Sequence, residues 1–130
     1  MTRLLLIGFA GALGTMARYL VALWAGKALG TAFPFGTLAV NVAGCFLISL
    51  IAQIAVSTAL ISPTLRLTLT TGFIGGLTTY SSFNYETTRL FQDRAWASGL
   101  TNFGVTVVAC FAAGLLGYAV AQRVAMAAAA

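Results

Sequence analysis

Few side chains in this 130-residue sequence can do chemistry, and they fall into four groups. Asn41 has Thr37 one helical turn before it. A glycine pair, Gly75-Gly76, is followed by Thr78, Thr79, Tyr80, Ser81, Ser82 and Phe83. Asn102, Thr106 and Cys110 recur at i, i+4 and i+8, a row that drifts only ~80° around a helix axis. Arg18 stands alone inside an apolar stretch. Amide and hydroxyl donors in a row can replace an anion's water shell stepwise. Tyr80 and Phe83, three apart, share a helix face, and the positive edges of aromatic rings can solvate a small dehydrated anion. A guanidinium stays protonated and concentrates anions in a vestibule. Each group also has an ordinary structural role open to it: interhelical hydrogen bonds worth about 0.6 kcal/mol each, core or lipid-facing aromatics, and an arginine that snorkels to the interface.

Bond-making chemistry is poorly provided for. The chain has no histidine and only two acidic residues, Glu86 and Asp93, which leaves no carboxylate pair for acid–base catalysis. An enzyme is therefore disfavoured. Cys45 and Cys110 have no metal-ligand spacing to each other or to any histidine, which excludes a zinc or haem site; in apolar stretches they read as small helix residues. The net charge of +5 comes from seven scattered basic residues. No cluster exists to follow a nucleic-acid backbone.

The elements that position these residues follow from composition. Apolar residues make up 60% of the chain and charged residues 7%, with a mean hydropathy of +0.97, whereas soluble domains carry about 25% charge. Lipid must cover most of this surface. A membrane crossing needs about 20 apolar residues at ~1.5 Å each. Four segments qualify, at about 4–24, 35–60, 64–91 and 97–122. They form one transmembrane domain over residues 1–124, with a low-complexity alanine-rich tail at 125–130. The first segment has no convincing signal-peptide cleavage region and is expected to be retained. Ser62-Pro63 predicts an N-cap with proline at the first helical position. Gly8, Gly11, Gly14, Gly72, Gly76, Gly114 and Gly117 are expected to let helices approach closely.

Two features set the topology. Short connections put both termini on one side, so Arg3, Arg66 and Arg123 face Lys27, Arg89 and Arg94 across the membrane. Equal numbers give no positive-inside preference, and a chain inserted in both directions can pair as an antiparallel dimer. Paired glycines followed by β-branched threonines make a poor helix, glycine costing about 1 kcal/mol against alanine. A break is expected near Gly75 to Thr79. Broken helices survive at membrane depth where they are buried against protein or line a cavity, and their freed carbonyls commonly hold a cation. A tightly packed helix whose threonines bond back to their own turn fits the spacing equally well.

Longer stretches add a family resemblance. Gly11-Ala12-Leu13-Gly14-Thr15-Met16-Ala17-Arg18-Tyr19, Gly36-Thr37-Leu38 with Asn41-Val42-Ala43-Gly44, and Gly72 through Phe83 together resemble the small bacterial fluoride channels of the CrcB/Fluc family over essentially the whole chain. The resemblance implies an all-α membrane protein of four transmembrane helices, the third broken, assembled as an antiparallel dual-topology homodimer in the bacterial inner membrane. It implies passive export of fluoride through two pores, with one central structural sodium ion. Backbone carbonyls of Gly75 and Thr78 would hold the sodium. Asn41, Tyr80 and Phe83, with Thr37, Ser81 and Ser82, would line the pore; Asn102, Thr106 and Cys110 would form its polar track, and Arg18 would attract anions. Two positions depart from the family pattern: Tyr80 stands where phenylalanine is usual, and Cys110 is a weaker donor than the serine often found there.

Two other classes stay open. A small dual-topology, proton-coupled multidrug exporter needs a membrane-embedded carboxylate. The first segment has none, and Glu86 can pair with Arg89 at i+3 near a membrane boundary. A structural or assembly subunit would transport nothing.

Overall fold

The structure, a computed structural model, describes residues 1–129. It is helical throughout, with no strand among the described residues. Helix α1 spans Thr2–Leu29 and α2 spans Phe35–Ser57. The third unit is in two pieces: α3 (residues 63–77) and α4 (Tyr80–Gln92). Helix α5 spans Trp96–Ala129. Helices α1, α2 and α5 are each long and apolar enough to cross a membrane. At 13 residues, α4 is too short to cross alone, so the expected third crossing is two half-helices joined at a break.

The ends follow local chemistry. Gly30 stops α1 with a φ of 84°, in the left-handed region that glycine enters without steric cost. Helix α2 closes where Thr58 turns extended and its hydroxyl donates to the Ile54 carbonyl at 2.8 Å. The second span is therefore shorter than expected. The Ser62-Pro63 start is as anticipated, with the Ser62 hydroxyl accepting from the Leu65 amide at 3.2 Å. Helix α5 continues through the alanine-rich stretch to Ala129; of the expected 125–130 tail, only residue 130 lies outside the described residues. Alanine is the best helix former, and 34 residues exceed what a bilayer core of about 30 Å needs.

Packing depends on missing side chains. Gly14 of α1 lies against the Phe73 carbonyl of α3, and Gly76 lies against the Gly11 carbonyl; a Cβ at either glycine would overlap backbone. Helices α2 and α5 meet in the same way, Gly117 against the Phe46 carbonyl. Gly8 is the exception among the anticipated contact glycines, with open space around it. Most large apolar residues point outward, Phe9, Leu20, Trp24, Phe111 and Leu116 among them. A water-soluble monomer would not expose so much hydrocarbon; in lipid it is the expected surface. Arg3 Nε donates to Thr64 Oγ1 at 3.1 Å, which puts the starts of α1 and α3 at the same end.

Within α3, residues Thr68–Ile74 form a wider π-helical stretch that the sequence did not lead us to expect; such stretches are frequent at functional sites. Both alternatives weighed for this segment are realised in succession. Thr68 and Thr70 donate back to the Thr64 and Arg66 carbonyls, and the helix then breaks at Thr78 and Thr79, both extended.

Candidate functional site

The break is held by Asn41, 38 residues away in sequence. Its Oδ1 accepts from the Thr79 amide at 2.8 Å and its Nδ2 donates to the Thr79 carbonyl at 3.1 Å. Both residues are buried. One side-chain amide thus replaces the helical bond of the Thr79 amide and adds a donor to the Thr79 carbonyl at the start of α4. The rearrangement frees other groups. The Thr79 amide would serve the Gly75 carbonyl in a continuous helix, and the Ser82 amide would serve that of Thr78. The first goes to Asn41, and the second donates to Thr79 Oγ1 at 3.1 Å to cap α4. Gly75 and Thr78 are therefore left with carbonyls short of their helical donors, and Gly75 lies on the open face.

Thr79 is a wall between two cavities. One, of about 390 Å³, is lined by Asn41, Thr78, Thr79, Tyr80, Phe83, Thr106 and Cys110 among others. Six of the twelve site residues singled out from sequence meet here. The Phe83 ring is buried while Tyr80 is 77% exposed, with centroids 5.6 Å apart. The second cavity, of about 300 Å³, is lined by Thr15, Arg18, Thr37, Thr79, Ser82 and Glu86. A third hollow of about 350 Å³ shares Thr37 and Glu86 with it and reaches Arg89 and Asp93. Polar groups thus run in overlapping sets from one end of the molecule to its middle. Ser81 lies outside these linings, exposed, with its hydroxyl 3.2 Å from Thr79 Oγ1.

The expected row on the last helix divides. Thr106 and Cys110 reach the first cavity. Asn102 is buried between α4 and α5, where its Nδ2 donates to Thr87 Oγ1 at 2.8 Å. Thr106 Oγ1 donates to Asn102 Oδ1 over a long 3.4 Å. Sequence spacing gives the row but not the partner, because Thr87 belongs to another helix.

Glu86 is a site residue that sequence reasoning missed. Its expected pairing with Arg89 does not form: Arg89 donates to Tyr85 Oη at 3.4 Å and pairs with Asp93 at 3.9 Å. Glu86 instead turns inward. Oε1 accepts from Thr37 Oγ1 at 2.8 Å, and Oε2 is buried without a hydrogen-bond partner. Arg18, half-buried, lines the same cavity. The signal was present: Thr79, Ser82 and Glu86 stand at i, i+3 and i+7, one face of a helix. No cluster of three or more metal-ligating side chains exists among the described residues, so a cation here would depend on backbone oxygens.

These features define a small helical membrane protein in which a broken helix, pinned by a distant asparagine, lines open hollows on both sides of the break. The chain belongs to the CrcB-like protein, Camphor Resistance (CrcB) family, whose model matches residues 5–118. It is 54% identical over 123 residues to the fluoride-specific ion channel FluC of Sorangium cellulosum (strain So ce56), covering 95% of this chain and 97% of that one. It is 47% identical over 122 residues to the protein of the same name from Citrifermentans bemidjiense, covering 94% and 98%. A third relative so named, from Chlorobium phaeobacteroides (strain BS1), is 59% identical over 90 residues, 69% of this chain and 70% of that one.

Proposed function

We propose that this protein is a fluoride-selective channel that lets cytoplasmic fluoride leave down its electrochemical gradient. The observation that carries this reading is the Asn41–Thr79 clamp between two hollows, one largely apolar and one carrying Arg18, Ser82 and Glu86, in a chain whose near-full-length relatives are named fluoride-specific ion channels. The clamp starts α4 at Tyr80, and the first amides of a helix lack intrahelical acceptors and attract anions. Hydroxyls of Thr79 and Ser82, the free N–H of Asn41 and the ring edges of Tyr80 and Phe83 would strip water from a small anion in steps. Arg18 supplies the attracting charge. Each step in this scheme is an exchange of water for a protein donor, and none needs an input of energy beyond the fluoride gradient. The channel is passive.

A sodium ion fits the other side of the break. It takes hard oxygen ligands, and the Gly75 and Thr78 carbonyls are among the oxygens that lose their helical donors at the break. Gly75 on an open face suits a site completed by a second chain. On this reading two oppositely inserted copies pair in the bacterial inner membrane, each crossing four times, and enclose two pores. The even split of basic residues between the two ends favours that arrangement.

One observation favours a rival. Glu86 is the inward carboxylate that a proton-coupled exporter of cationic drugs would need. Arg18 in the same cavity disfavours a cationic cargo, so the channel reading stands ahead. Purified protein in liposomes loaded with potassium fluoride decides between them. With valinomycin present, a fluoride electrode should register rapid efflux, and chloride should not follow. Efflux no faster than from protein-free liposomes, or proton-driven uptake of a quaternary cation, would sink the proposal. A reporter on the C-terminus should give signal from both sides of the membrane; signal from one side alone would remove the dual topology.

A further inference from the structure

Cys45 and Cys110 are the only thiols in the chain, and fluoride conduction gives them no role as a pair. Helices α2 and α5 lie so close that a Cβ on Gly114 would sit 3.8 Å from the Cys45 carbonyl. Gly114 is one helical turn beyond Cys110. The same register brings the two cysteines to facing positions on α2 and α5. Both are free thiols, half-buried, and both line the 390 Å³ cavity. Beside them the wall is hydrocarbon, from Ile48, Ile74 and Val107.

We propose that Cys45 and Cys110 form a dithiol site for a soft, thiophilic centre that takes two sulfur ligands, of the trivalent-arsenical class. Soft sulfur donors select soft centres. With no third ligating side chain alongside, a four-coordinate ion such as zinc lacks its set. A monosubstituted arsenic(III) brings its own third substituent and needs only two thiols. Two thiols on the wall of one cavity suit its bent S–As–S geometry, and a neutral organoarsenical can enter through an apolar wall. The reaction with an arsine oxide balances without redox change. Two S–H bonds break and two As–S bonds form, and the arsenic-bound oxygen leaves as water with both protons. Attachment at two points holds the reagent roughly 100-fold or more tightly than one thiol would. The consequence for transport rests on the channel reading: the adduct occupies the cavity beside Asn41, Phe83 and Thr106 and stops fluoride.

Phenylarsine oxide on the full-length protein tests this. Intact mass should show one phenylarsenic per chain, with both thiols lost to a thiol reagent, and 2,3-dimercaptopropanol should reverse it. C45A and C110A should retain the reagent roughly 100-fold more weakly. In liposomes, wild-type fluoride efflux should fall about tenfold or more, as expected for an obstructed narrow path, while each variant keeps its own unmodified rate. No adduct on the native wild type, two arsenicals per chain, or equal retention by either variant would overturn the site. Wild-type mass and thiol count decide the matter even if a variant fails to fold. Adduct formation on protein that never conducts fluoride would overturn the channel reading and leave the dithiol site standing. Adduct formation that leaves efflux unchanged would overturn the placement of the thiols in the pathway.

Discussion

Replacing Asn41 by alanine removes the one side chain that holds the helix break. Two hydrogen bonds to Thr79 go, at 2.8 and 3.1 Å. In a soluble core, leaving two buried polar groups unpaired would cost about 1–3 kcal/mol each. In membranes such bonds average about 0.6 and reach about 1.7 kcal/mol, because the altered chain finds other partners. Thr79 has such a partner: its amide can return to the Gly75 carbonyl by closing the helix. The membrane figures therefore apply, and the loss is about 1–3 kcal/mol for the pair of bonds. That corresponds to a factor of roughly 5–150 in the population of the broken form. If the break positions the pathway, fluoride efflux should fall by a similar factor while the protein remains helical by circular dichroism. Asn41→Asp tests the same position with a charge. It keeps an acceptor for the Thr79 amide but buries a carboxylate against the Thr79 carbonyl, so its thermal stability should fall at least as far as that of the alanine variant. Its negative charge beside the path should lower efflux at least as far as alanine does. Efflux and thermal midpoint both unchanged in Asn41→Ala would refute the clamp as the organising element.

Three further outcomes follow from contacts elsewhere. Gly14→Val should abolish recovery of folded protein from detergent, by overlap with the Phe73 carbonyl, at a cost of about 3 kcal/mol or more; Gly8→Ala, with open space around it, should behave as wild type on gel filtration. Thr87→Val leaves the Asn102 amide, only 1% exposed, without its acceptor, and should lower stability by about 1 kcal/mol, while Thr87→Ser restores the midpoint. Gly44→Ala would drive a methyl into the Thr78 side chain and shift the carbonyl proposed for sodium, raising the sodium concentration needed for half-maximal stability of the proposed dimer about fivefold, equivalent to about 1 kcal/mol; an unchanged sodium requirement would count against Thr78 as a ligand.

The fold was largely legible because its determinants are local or periodic. Hydrophobic run lengths mark α1, α2 and α5, and Ser62-Pro63 marks the start of α3. The long reach of α5 had a signal too, since a run of alanines continues a helix even where it says nothing about a site. What was missed depends on partners in other segments. The place of Glu86 is set by Thr37 on α2, and that of Asn102 by Thr87 on α4. Cys45 looked like filler because its relation to Cys110 exists only once α2 and α5 are in register. Spacing along one chain segment cannot supply these pairings. It supplies the faces on which they occur.

The break itself shows the same division of labour, and on the proposed function one defect would serve two ions of opposite sign. Gly75-Gly76 and the following threonines make the helix weak but do not say whether it breaks. Asn41 decides that, from another helix, by taking both backbone groups of Thr79. Once it does, α3 ends in uncompensated carbonyls and α4 begins in uncompensated amides within two residues of each other. The carbonyl end carries partial negative charge and the amide end partial positive charge. A continuous helix would cancel these charges internally. A broken one presents the negative end to a cation and the positive end to an anion, with Thr79 as the partition. On this argument the proposed sodium and the proposed fluoride path are not independent sites. Anything that re-closes the helix at Thr79 should abolish both together, so Asn41→Ala should lose sodium-dependent dimer stability along with fluoride efflux.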